Sequence, residues 1–299
     1  MTWLARTMQD APQPPVVPSF ITTGVVGGGT ITYSGGFLPT AGTYTNYAGT
    51  FVSTPGGIGS CLGYMAHVVL INYVDNLGYN TNGNGITISG APQIVDSTNG
   101  VVYHGPYGAD AGATIVYYTP PPPTPPYIQE TTGVWIYIGF APVATFNTSR
   151  TLTITWPSIV TVGASYSATS ALSDLYLGST SRTLSSGMHV GSSAGGTFSV
   201  ASGGTYGPTI SPTAAGDIVV GGTADGQTAY SGSAPTANWT PAPAGLAYNK
   251  NIGSYIAQFM VDYCPTISPF NYSQIRTGNY SGQNLSSNGA YGIATITGF

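Results

Sequence analysis

The apolar positions of this chain fall in short β-branched and aromatic runs, separated by clusters of Gly, Pro, Ser, Thr and Asn. Met65-Ala-His-Val-Val-Leu-Ile-Asn-Tyr-Val74 and Gly133-Val-Trp-Ile-Tyr-Ile-Gly-Phe140 are continuous enough to read as strands buried on both faces. Thr151-Leu-Thr-Ile-Thr-Trp156 alternates instead, placing Leu152, Ile154 and Trp156 on one side and the threonines on the other, and Pro157 is expected to end it. Thr209-Ile-Ser-Pro-Thr-Ala-Ala-Gly-Asp-Ile-Val-Val-Gly-Gly222 is a polar turn running into a strand, with Gly216 and Asp217 as turn residues and Ile218 to Val220 as core.

Weaker runs of the same kind occur at 30–33, 44–47, 86–88, 113–118, 159–162, 175–177, 197–200, 237–240 and 289–299. Ile256 to Tyr263 fits either helix or strand, and strand is preferred. Gln93-Ile-Val-Asp-Ser-Thr-Asn-Gly-Val-Val-Tyr103 reads as a hairpin, with Asp96 to Gly100 supplying the turn. No amphipathic helical period is evident. The pattern predicts an all-β, antiparallel β-sandwich, jelly-roll-like, with long Gly/Ser/Pro-rich loops. A parallel β-helix would need a short fixed period, which is lacking.

Residues 1–20 are expected to form an extended arm, because Ala11-Pro-Gln-Pro-Pro-Val-Val-Pro18 can neither continue a helix nor donate along a sheet ladder. Residues 21–299 then form the sandwich, as one body or as two packed halves. Thr119-Pro-Pro-Pro-Pro-Thr-Pro-Pro-Tyr127 is read as a stiff surface loop of polyproline II type.

Composition narrows the function. With 43 Gly and 23 Pro in 299 residues the chain approaches compositions that stay disordered, but 41% hydrophobic content, arranged in runs, supplies a core to bury. Only 5% of residues are charged and the net charge is -4, so there is no basic footprint for nucleic acid. A surface poor in Lys and Glu must be coated by Ser, Thr, Asn, Tyr and Gly, as on exported proteins. The first ten residues carry no apolar signal core, and no stretch is apolar and long enough to insert into a membrane. Cys61 and Cys264 are the only cysteines, as a disulfide or as two buried thiols.

Candidate chemistry is sparse. Gly191-Ser-Ser-Ala-Gly195 satisfies the Gly-x-Ser-x-Gly pattern with His189 nearby, yet a nucleophile elbow requires a following helix, and Gly196-Thr-Phe-Ser-Val-Ala-Ser-Gly-Gly204 is no helix former. Gly27 to Gly29 lack the Lys-Ser/Thr of a phosphate loop. Asp75 and the amides of residues 78–85 are too poor in carboxylates for calcium, and His67, His104 and His189 too dispersed for zinc. His67, inside an apolar run, reads as a core or pocket histidine. Asp174, Asp217, Asp225 and Asp262 read as turn residues rather than a carboxylate pair for glycoside hydrolysis. No catalytic residue, metal or cofactor is therefore expected. Tyr107, Tyr127, Trp239, Tyr248 and Tyr280 remain as candidate aromatics for stacking on sugar or on partner protein.

The order of these segments resembles the jelly-roll modules of minor tail and capsid decoration proteins of tailed bacteriophages, especially those of actinobacteria. The similarity runs through Val68 to Asn72, Ile94 to Tyr103, Trp135 to Tyr137 and Thr151 to Trp156, and is closest at Thr213-Ala-Ala-Gly-Asp-Ile-Val-Val220. It spans residues 60–299; the proline loop and the N-terminal arm depart from it. The resemblance implies a non-enzymatic structural protein displayed on the virion surface, extracellular after host lysis. Its partners would be other virion proteins and further copies of itself. The alternative from another class is a carbohydrate-binding adhesin module for host-surface glycans.

Overall fold

The computed structural model describes residues 29–31, 42–53, 55, 58–76, 85–116, 128–162, 168–180, 182–201, 205–206, 209–225, 236–241, 248–252, 256–263, 270–277 and 286–298. The expected arm, the proline loop, Cys264, Tyr127 and Tyr280 lie outside these residues.

The strands in chain order are β1 (Gly29–Ile31), β2 (Gly42–Ser53), β3 (Tyr64–Asn76), β4 (Gly85–Ser89), β5 (Gln93–Asp96), β6 (Tyr103–Val116), β7 (Ile128–Pro142), β8 (Arg150–Val162) and β9 (Ala168–Leu177). They continue with β10 (His189–Ala201), β11 (Thr205–Tyr206), β12 (Thr209–Ile210), β13 (Ile218–Asp225), β14 (Thr236–Pro241), β15 (Tyr248–Ile252), β16 (Ile256–Tyr263), β17 (Phe270–Thr277) and β18 (Ser286–Thr297). The described helices are one four-residue turn, Val143–Phe146, and a 3-10 turn, Ile58–Ser60. The fold is an all-β sandwich in which every strand ladder is antiparallel.

A central sheet of order β1-β9-β3-β7-β6 is covered on both faces. Alternation along its strands decides what each face meets. Ala66, Val68 and Leu70 of β3, Val134, Ile136 and Ile138 of β7, and Leu175 and Leu177 of β9 pack against Ile218, Val220, Val261, Ala294 and Ile296 of the second sheet, order β10-β18-β13-β16-β15. The intervening residues, His67, Trp135, Tyr137, Asp174 and Tyr176, face a third sheet in which β8 pairs with β2, β4 and β5. There Trp135 meets Trp156 edge to face at 5.3 Å, and the Tyr137 hydroxyl donates to the Pro92 carbonyl. A fourth group joins β11, β12 and β14 to β17.

β3 and β7 are thus buried on both faces, as their continuous apolar runs predict. The Ile256–Tyr263 segment is strand β16, and Leu152, Ile154 and Trp156 are buried while Thr151, Thr153 and Thr155 are half-buried.

Three local expectations need correction. Residues 93–103 form no hairpin: β5 pairs with β8 and β6 with β7, so the Asp96–Gly100 turn carries the chain from one sheet to another. Pro157 does not end its strand. β8 runs on to Val162, and Pro157 falls where its partner on one side changes from β5, up to Thr155, to β4, from Ser158. On the other side the register with β2 passes from Ser158 to Trp156, so no ladder bond is needed from the missing N–H. Lastly, the run at 113–116 belongs to one long strand from Tyr103, whose register shifts between His104 and Tyr107 and between Asp110 and Ala113, bulges that take up Pro106 and the Asp110–Gly112 stretch.

The two main sheets touch backbone to backbone at one place. A Cβ on Gly292 would overlap the Tyr107 carbonyl oxygen, and one on Gly195 the Gly108 carbonyl oxygen, so only glycine allows β18 and β10 to reach β6.

Candidate functional site

The densest gathering of polar side chains among the described residues lies inside the protein, between the central sheet and the β2/β5/β8 layer. It grows out of register. His67 on β3 stands opposite Tyr176 on β9, and Asp174, two residues along β9, shares their face. The imidazole stacks on the Tyr176 ring at 4.2 Å with an interplanar angle of 4°. Its Nε2 lies 2.9 Å from Asp174 Oδ2, and both side chains have 0% exposure. From the outer layer Ser53, at the end of β2, donates its hydroxyl to the same Asp174 oxygen and lies 2.6 Å from the Tyr176 hydroxyl. Tyr103, at the start of β6, lies 2.7 Å from His67 Nδ1.

The direction of each hydrogen bond follows from the carboxylate, which only accepts. Ser53 spends its hydrogen on Asp174, so Tyr176 donates to Ser53. His67 carries its hydrogen on Nε2 toward Asp174, leaving Nδ1 bare, so Tyr103 donates to it. Burial lowers the His67 pKa below its ordinary 6.5, outweighing the opposing pull of Asp174, and the Arg150 charge lowers it further. The neutral imidazole is the form that fits.

Beside this chain of hydroxyls lies a buried ion pair. Arg150 Nη1 donates to Asp96 Oδ2 at 2.7 Å and Nη2 to the Thr145 carbonyl at 2.8 Å, with the guanidinium carbon 4.3 Å from the Phe146 ring centre. Asp96 Oδ1 accepts the backbone N–H groups of Thr98 and Asn99, which fixes the turn between the sheets. The Arg150 charge favours the ionised forms of Tyr103 and Tyr176, against the larger effect of burial. Burial pushes the Tyr176 hydroxyl up to about 12 and raises that of Tyr103, so both remain donors.

Ser, His and Asp all occur here, but in the wrong order for nucleophilic catalysis. Ser53 bonds the carboxylate and not the imidazole, the reverse of the Ser–His–Asp order of a triad. The arrangement ties two layers together.

The other candidates are scattered. Ser192 and Ser193 lie within β10: Ser192 falls in the register shift between Val190 and Ser193, Ser193 pairs with Ala294 of β18, and the residues that follow, to Ala201, are strand rather than helix. Ser192 donates its hydroxyl to the Ser211 carbonyl, and the exposed His189 has Nδ1 2.8 Å from the Gly187 carbonyl. Asp217 is buried as a turn residue: Oδ2 accepts the N–H of Thr213 at 2.8 Å, the N–H of Ala214 at 3.0 Å and the Thr213 hydroxyl at 3.0 Å. Cys61 is a free, buried thiol whose pKa is raised by desolvation. Among the described residues no three His, Cys, Asp or Glu side chains gather as a metal site, and no helix is long and apolar enough to cross a membrane.

Of the aromatics, Tyr107 is half-buried against the core between the two main sheets, and burial raises its hydroxyl. Trp239 lies on β14 opposite Gln274, and Tyr248 on β15 opposite Val261. Sequence reasoning places His67 in the core but misses Ser53, Tyr103, Arg150 and Tyr176 around it, and Asp174, Asp225 and Asp262, read as turn residues, lie instead in strands β9, β13 and β16. Two signals were present: Asp174 interrupts Leu172-Ser-Asp-Leu-Tyr-Leu177 inside a strand pattern, and Arg150 is one of only five basic residues in the chain.

In comparisons with known proteins, no family model, curated protein or solved structure matches this chain.

Proposed function

We propose that the chain is a non-enzymatic structural protein of a phage virion, a minor tail or capsid decoration protein displayed in multiple copies on the particle surface. The observation that carries this reading is Thr213–Val220, the segment most similar to the tail and decoration modules. In that segment Gly216 takes φ +93°, Asp217 ties the turn, Ile218 and Val220 are buried in the core between the sheets, and Val219 is buried on the other face of β13. A second support is electrostatic. A chain with 5% charged residues holds its polar network inside, and assembles through backbone pairing and uncharged side chains more readily than through ion pairs.

Mass spectrometry of density-gradient-purified particles, released by lysis of cells carrying the gene, tests the reading. The chain is expected to band with the particles at a fixed stoichiometry to the major capsid protein. Recovery in the soluble fraction, with particles free of it, overturns the proposal. Binding of the purified chain to host-wall glycans, lost in Trp239→Ala, would assign it to the adhesin class instead.

A further inference from the structure

We propose that β2 is a self-association edge: its outer side pairs antiparallel with β2 of a second copy of this chain, so that two β2/β8 layers become one continuous sheet. The inference goes beyond the virion reading, because it concerns the isolated chain and is tested on it.

A sheet ends in a row of backbone N–H and C=O groups that invites another strand, and sheets ordinarily blunt that row with brevity, charge, proline or a bulge. The other outer strands among the described residues each carry such a device. In the central sheet β1 has three residues, β9 beyond it is buried from Asp174 to Leu177, and β6 has two register shifts, Pro106 and Asp110. In the second sheet β10 shifts register between Val190 and Ser193, and β15 has five residues with Lys250 among them. β4 and β5 have five and four residues, β11 and β12 two each, and β14 ends in Pro241.

β2 has none of these. It runs twelve residues, Gly42 to Ser53, with no charge and no proline. Its register against β8 is constant from Gly42↔Thr161 to Ser53↔Arg150, passing Pro157 without a shift. Among the described residues its strand partner is β8 alone, since β1, the strand before it, pairs with β9. Near its end Phe51 and Ser53 are buried, whereas Thr50 and Val52 are exposed, Val52 at 58%.

The occupant that fits this edge is another β2. A strand without charge offers a charged partner nothing to complement, while pairing with itself sets no like charges opposite one another. The two strands match in length, whereas β6 or β10 of a second copy would bring a bulge to the ladder. A two-fold axis normal to the sheet makes the contact antiparallel and isologous, and keeps the exposed faces of both copies on one side. Because side chains alternate along a strand, opposed residues then have numbers of equal parity, and one residue of β2 faces its own copy across the axis. A single ladder of this kind, about 40 Å long, buries little side-chain area. The dimer is therefore weak in dilute solution and favoured where copies are crowded.

The test is sedimentation and amide hydrogen exchange of the purified chain over a range of concentrations. The wild type is expected to pass from 30.6 kDa to twice that mass as its concentration rises to about 100 µM, with protection of the β2 amides rising alongside and that of β14 and β15 unchanged. Thr50→Lys/Val52→Lys is expected to weaken association at least about tenfold. Val95→Lys, equally exposed on the same face but on β5 and so away from the edge, should leave it intact. A wild type that stays monomeric over the range overturns the proposal, as does a dimer whose β2 protection does not follow concentration. Equal weakening by Val95→Lys would put the contact on the sheet face and overturn it too. Should the lysine pair disturb folding, the wild-type exchange result decides alone. The assay needs no particle, so absence of the chain from virions leaves this result standing, and a monomeric chain leaves the virion reading to its own test.

Discussion

Arg150 and Asp96 show how much depends on single side chains here. The pair is wholly buried, so each ion is compensated by the other, by backbone groups and by the Phe146 ring. Arg150→Met removes the cation and strands the carboxylate, which costs about 3–5 kcal/mol in buried pairs of this kind. Urea unfolding should report a loss of that size; a change below about 1 kcal/mol would show that water reaches Asp96. The glycines at the sheet crossing are equally constrained, for steric reasons. Gly292→Ala forces β18 away from the Tyr107 carbonyl, and an overpacking cost of about 1–3 kcal/mol is expected in the same assay. By contrast Gly59→Ala meets open space and should change stability by less than about 0.5 kcal/mol. At this scale the sequence was partly legible. Asp217 is the turn residue its Ala-Ala-Gly-Asp setting suggests, because an Asx turn is a local interaction. The His67 network was not legible, because Asp174 lies 121 residues from Ser53 and 107 from His67 in sequence and meets them only through register.

Among the elements, β8 carries the clearest lesson. Its alternation of threonine with large apolar residues was readable as a one-sided strand, since period two is a property of the backbone itself. The continuation through Pro157 was not, because what permits it is a change of neighbouring strand that local sequence does not encode. Pro157→Ala should therefore leave the fold intact at a cost under about 1 kcal/mol, the entropy gained by the unfolded chain. Ile154→Pro, at a position paired with both Gly49 and Ile94, should abolish two-state folding or cost more than about 3 kcal/mol. Circular dichroism melting of the two variants separates the cases, and equal melting temperatures would refute this account of β8. The mistaken hairpin at 93–103 has a similar origin. Strand, turn and strand are all present there, but β5 pairs with β8 and β6 with β7, so the turn that Asp96 ties passes between layers.

For the whole molecule, the arrangement that matters is a central sheet buried on both faces, apolar toward β13 and β18 and partly polar toward β8. Two continuous apolar runs, at 65–74 and 133–140, announced that central position in the sequence. The layering itself depends on which strands pair, and pairing is non-local. The proposal that the protein serves as a surface component of a virion is tested most directly by cryo-electron microscopy of purified particles. The account predicts repeated surface density into which the described strands fit without rearrangement, with Asp217–Val220 in the interior of each copy. Particles whose surface density accommodates no such sandwich at any position would contradict it.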